Sequence, residues 1–108
     1  MTANKFRSLA LEISGAIESA HMNHPDFRID GKVFASVGYP DDDHGMVKLT
    51  PEQQRAFLKR APSVFKPCAG AWGRQGSTSV ALCAVKVDLL RSALEAASKN
   101  VLSKKKTA

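Results

Sequence analysis

The sequence predicts an α+β domain, an antiparallel sheet with helices on one side. Three observations predict it. First, Asp30-Gly31 separates the short runs Phe27-Arg28-Ile29 and Lys32-Val33-Phe34. Asp-Gly suits a two-residue hairpin, because a type I′ turn needs positive φ at both positions. Second, Thr50-Pro51-Glu52-Gln53 opens a helix. Thr50 is its N-cap, Pro51 takes the first helical position and Gln53 completes a capping box. Third, Thr78-Val80-Leu82 alternates with Ser77-Ser79-Ala81 as a half-buried strand does. Val87, Leu90, Leu94, Ala97 and Val101 follow at helical spacing.

The remaining elements are placed around these. Phe6, Leu9, Ile13, Ala16, Ile17 and Ala20 recur every three or four residues, which predicts a helix from Ala3 to about His21. Thr2 or Asn4 caps it, and Pro25 stops it. With a two-residue turn, Ile29 faces Lys32 and Phe27 faces Phe34. Val33, Ala35, Val37 and Tyr39 then share the other face with Arg28. Both faces are partly apolar, so pattern alone does not say which one meets the helices. Gly38 to Gly45 reads as a loop, and Met46 to Leu49 as a third strand with Val47 and Leu49 on one face. The second helix carries Ala56, Phe57 and Ala61 and stops at Pro62. The last helix begins near Asp88, and residues 103–108 form a basic, flexible tail. The predicted order is α-β-β-β-α-β-α, one domain over residues 1–102.

Composition bounds the function. A chain of 108 residues is one domain by length and buries about 60–70% of its unfolded surface. No apolar run reaches the roughly 20 residues of a membrane span, and no basic segment leads into an apolar one as in an export signal. Reduced thiols at Cys68 and Cys83, in apolar surroundings, and a cytoplasmic location are therefore expected. Half of the net charge of +6 sits in Lys104, Lys105 and Lys106. Such a surplus suits weak attraction to polyanions, and solubility equally.

The chemistry-bearing stretch is Gly70-Ala71-Trp72-Gly73-Arg74-Gln75-Gly76-Ser77, which holds the only tryptophan. With Arg28, Lys32 and Lys48, the residues Trp72, Arg74 and Gln75 have the makings of a nucleic-acid site: cations for phosphates and a flat ring for stacking. The plainer reading is that Trp72 covers the sheet edge, the glycines permit a tight turn, and Arg74 pairs with an acid such as Asp26. The glycines match neither a P-loop nor a dinucleotide fingerprint, and the strand expected after them offers no helix N-terminus to a phosphate. His21, His24 and Asp26, or His44 with Asp41, Asp42 and Asp43, are candidate metal ligands. The first set straddles a helix end and the second is an acidic loop, so no metal or other cofactor is expected. Ser77 and Ser79 lack a nucleophile-elbow pattern, and no acid–base pair stands out. A non-enzymatic module is expected.

Four stretches occur in order: His24-Pro25-Asp26-Phe27-Arg28, Gly31-Lys32-Val33-Phe34-Ala35, Met46-Val47-Lys48-Leu49-Thr50-Pro51-Glu52-Gln53-Gln54, and Gly70-Ala71-Trp72-Gly73-Arg74-Gln75-Gly76. Together they resemble the MmcQ/YjbR family of small α/β proteins, over nearly the whole chain. The resemblance implies two layers, with a curved antiparallel sheet. Ser98 stands where many relatives carry a large aromatic. By fold analogy the resemblance also implies a DNA-binding role, and it brings no catalytic residues. The expected function is weak, salt-dependent DNA binding. The alternative is a protein-interaction domain using a sheet edge or apolar face. Partners are thus a nucleic acid or a protein, with no membrane and a monomer as default.

Overall fold

The computed structural model describes residues 1–21, 23–38 and 41–105. Ten elements follow one another: α1 (Ala3–Leu11), β1 (Ile17–His21), β2 (His24–Ile29), β3 (Lys32–Val37), β4 (His44–Lys48), α2 (Pro51–Arg60), β5 (Phe65–Pro67), α3 (Gly70–Arg74), β6 (Ser77–Ala81) and α4 (Val87–Lys105). The strands form one antiparallel sheet in the order β1-β2-β3-β4-β6-β5. Helices α1 and α4 pack together and against β3 and β4. The α+β class is as the sequence predicts, with three elements more than expected: β1, β5 and α3.

The largest correction is the first helix. It ends at Leu11, and Gly15 turns the chain at φ +84. Residues 17–21 are extended instead, as an edge strand paired with β2 from Ile17↔Arg28 to His21↔His24. Pro25 lies inside β2 opposite Ala20 rather than ending a helix. The apolar spacing runs on past Leu11, but only Phe6, Leu9 and Ala10 are buried in α1. Ile17 is 60% exposed. Tertiary pairing thus overrides a helical period that Ile13, Ala16, Ile17 and Ala20 continue beyond the true helix.

The hairpin forms as expected, with Asp30 at φ 52, Gly31 at φ 78 and Ile29 opposite Lys32. The register then slips. Arg28 faces Val33, but Phe27 faces Ala35, so Phe34 is the extra residue of a β-bulge. That bulge decides which face is inside. Phe34 and Ala35 are neighbours, yet both are fully buried with Phe27 and Ile29. Val33 alone joins Arg28 on the opposite face. Tyr39, expected on that face, lies outside the described residues.

The second helix opens as its sequence promises. Thr50 Oγ1 accepts the Gln53 N–H at 3.0 Å, and Gln53 Oε1 accepts the Thr50 N–H at 2.9 Å. Phe57 meets Phe65 edge to face, their centroids 5.2 Å apart, so α2 covers the β5 end of the core. Helix α4 continues through Lys105; residues 106–108 lie outside the described residues. Ser98, in place of the aromatic, is buried and donates to the Glu95 carbonyl at 2.8 Å.

Helices α1, α2 and α4 therefore share one face of the sheet. Directly opposite residues of antiparallel strands lie on the same face. The row Ser19, Asp26, Ser36, Met46, Ser79 and Lys66 crosses all six strands on the other one.

Candidate nucleic-acid interface

The glycine-rich stretch opens as a short helix, and two of its three glycines, Gly73 and Gly76, are required by close backbone packing. A Cβ at Gly73 would stand 1.8 Å from the Cys68 carbonyl oxygen. One at Gly76 would stand 1.9 Å from the Leu49 oxygen, at φ +115. Gln54 fixes the same corner from α2. Its buried amide nitrogen lies 3.0 Å from the Gly73 oxygen and 3.1 Å from both the Ser77 oxygen and Thr78 Oγ1. Thr78 in turn donates to the Gly76 carbonyl at 2.8 Å. Sequence reasoning missed Gln54. Its signal was position: it stands three residues before Phe57 and seven before Ala61, on the apolar stripe of α2.

This frame holds Trp72 outward. The ring is 64% exposed, and Lys48 Nζ lies 5.8 Å from its centroid, within cation–π range. Trp72 therefore does not serve as a buried cover for the sheet edge. Arg74 occupies the last turn of α3 and Gln75 its C-cap, both exposed. Among the described residues Arg74 has no carboxylate within ion-pair distance.

Asp26 takes a different partner from the one expected. Arg28 Nε and Nη2 donate to its two oxygens at 2.8 and 3.0 Å. The carboxylate is nearly covered, while the Arg28 side chain stays 31% exposed. The hydrogen bond to Asp26, and then its charge, raise the Arg28 pKa. Arg28 is therefore a cation already paired edge to edge with an acid, and not a free phosphate ligand. Lys32, opposite buried Ile29, belongs to the helix-bearing face. Lys48, two residues beyond Met46, belongs to the open one. The structure thus brings together Arg28, Lys48 and Trp72 on or beside the open face, with Arg74 and Gln75 adjoining, and sets Lys32 apart.

The other candidates resolve simply. His44 Nδ1 lies 2.7 Å from Asp41 Oδ1. That bond, and a backbone N–H from Asp43, lower the Asp41 pKa. Among the described residues no group of three His, Cys, Asp or Glu side chains could hold a metal ion. No helix there is long and apolar enough to cross a membrane. Cys68 is half-buried, and burial pushes its thiol up. Cys83 is exposed, contrary to the apolar surroundings expected for it. Since the thiolate is the nucleophile, iodoacetamide near neutral pH should modify Cys83 well before Cys68. Peptide mass spectrometry over a time course checks this, and equal rates would mean that Cys68 is not covered as described.

This architecture is an α+β domain with a six-stranded antiparallel sheet and helices α1, α2 and α4 on one face. The YjbR family model matches residues 11–99, and the chain belongs to that family. No curated protein matches it. Its fold is similar to the crystal structure of Deinococcus radiodurans protein DR2400, which has a DUF419 domain. The TM-score is 0.79 at 19% identity, over 96% of this chain and 80% of that one.

Proposed function

We propose that the chain is a non-enzymatic module that binds DNA weakly and in a salt-dependent way around Trp72 and Lys48, with Arg74 in the last turn of the same short helix. The observation that carries this is the exposed Trp72 ring beside Lys48 Nζ. An exposed indole offers a flat ring on which a base can stack. The neighbouring cations supply the phosphate attraction that such a surface needs. A second reading, a protein-interaction domain, is supported by Ile17, the other exposed large apolar residue among the described residues, on edge strand β1.

The test is a titration of Trp72 fluorescence with single-stranded and duplex DNA at low and moderate salt. Trp72 is the only tryptophan, so the signal reports this site alone. Saturable quenching that weakens with salt is expected. Arg74→Ala should lower the salt slope by about one counterion. Trp72→Ala, followed by anisotropy of a labelled oligonucleotide, should weaken binding about tenfold. Replacing Lys104, Lys105 and Lys106 by Gln should leave the quenching in place. If Trp72 stays silent in the folded protein, or if binding goes with the three tail lysines, this site is not a DNA site.

A further inference from the structure

We infer that the partner is single-stranded nucleic acid, lying across the open sheet face from Trp72 toward Ile17. This rests on the proposed function and gives it a path and a strandedness. The register is the starting point. Ile17 faces Arg28, and Arg28 faces Val33. Lys48 stands on the same face one strand further on, with Trp72 beside it. The two exposed large apolar side chains of the described residues, Ile17 and Trp72, thus bracket Arg28, Val33 and Lys48 on the open face. The row from β1 to β4 spans three strand spacings, about 14 Å. That accommodates about two or three splayed nucleotides, a short single-strand site.

The chemistry along the row selects unstacked bases. A duplex keeps its bases stacked inside and offers phosphates outward, so it would leave Ile17, Val33 and the Trp72 ring uncovered. Splayed bases cover such groups, because each base has an apolar face. Arg28 acquires a role here that differs from phosphate binding. Asp26 holds its guanidinium by both oxygens and neutralises it, which leaves a fixed plane on the sheet surface. Guanidinium planes stack bases as aromatic rings do. The next row, Ser19, Asp26, Ser36, Met46, Ser79 and Lys66, offers three serine hydroxyls to base edges, with Met46 as an apolar contact between two of them. Charge agrees with the occupant. Among the described residues the strands place Lys48 and Lys66 on this face, and Asp26, already paired, is the one carboxylate.

The test uses the full chain, a twenty-four-nucleotide oligo(dT), and a twelve-base-pair duplex of about the same number of phosphates. Backbone amide shifts are followed by NMR, and affinities by anisotropy. The single strand should bind about tenfold tighter than the duplex. It should shift amides along the row as far as Ile17 and Ser19. Ile17→Ser and Val33→Ser should each weaken the single strand about threefold and leave the duplex unchanged. Equal affinity for both probes, with shifts confined to the Trp72 end, would overturn the path and leave the DNA-binding reading standing. Absence of binding to either probe by the folded chain would remove both. Row amides that move with protein concentration alone would show a second copy of the chain on this face, and would equally overturn the path.

Discussion

Gly76→Ala is expected to destabilise the domain by about 3 kcal/mol or more, far beyond what one methyl group suggests. Two costs add. The residue sits at φ +115, where an L side chain is strained by about 1–3 kcal/mol. Its new Cβ would also stand 1.9 Å from the Leu49 oxygen and 2.9 Å from the Thr50 carbonyl carbon. These are backbone atoms and cannot rotate away, and overpacking of this kind costs about 1–3 kcal/mol more. The strain would spread, because the Leu49 N–H donates to the Gly76 carbonyl at 3.2 Å and Thr50 caps α2. Gly31→Ala is the control. It also has positive φ, at +78, but a Cβ there would meet nothing within 4 Å, so only about 1–2 kcal/mol of backbone strain is expected. Urea denaturation of both variants measures the difference. If Gly76→Ala costs no more than Gly31→Ala, the close approach of β6 to the start of α2 is wrong. A domain of this size has only about 5–15 kcal/mol of stability, so the Gly76 variant should also melt well below the parent.

That expectation bears on why the site was only half legible. The stretch around Trp72 advertised itself by composition, but its exposed ring and an Arg74 unpaired among the described residues did not follow from it: the plainer reading had Trp72 over the sheet edge and Arg74 paired with Asp26. Nor did the reason for its glycines. They answer to the carbonyls of Cys68 and Leu49, which only the folded chain brings near. The Arg28–Asp26 pair was equally hidden, since two-residue spacing on a strand is invisible until the stretch is known to be a strand. Where the signal was local, as in the Thr50 capping box and the Asp30-Gly31 turn, the residues sufficed. Where pairing decided, as at Ile17 on β1, they misled. A six-residue run with helical spacing has no means of announcing that a neighbouring strand will claim it. The family resemblance carried the fold class across these gaps, but it carried no assignment of faces.

Phe34→Ala is expected to cost about 3–5 kcal/mol, the range for emptying a fully buried phenylalanine site. The neighbouring change Val33→Ala, on the open and half-buried face, should cost under about 1 kcal/mol. The contrast tests the bulge itself. In a regular strand side chains alternate. With Ala35 inside, Phe34 would then point out and Val33 in, and the order of the two costs would reverse. The bulge is what lets Phe34 and Ala35 enter the core together, and it is also what sets Val33 beside Arg28 on the open face. Stability and site therefore depend on one irregularity in β3. Equilibrium denaturation of the two variants decides the matter. A large loss for Phe34→Ala with a small one for Val33→Ala fixes the faces as described. The reverse would turn the sheet inside out at this point, remove Val33 from the open face between Ile17 and Trp72, and take with it the continuous surface on which a single strand would lie.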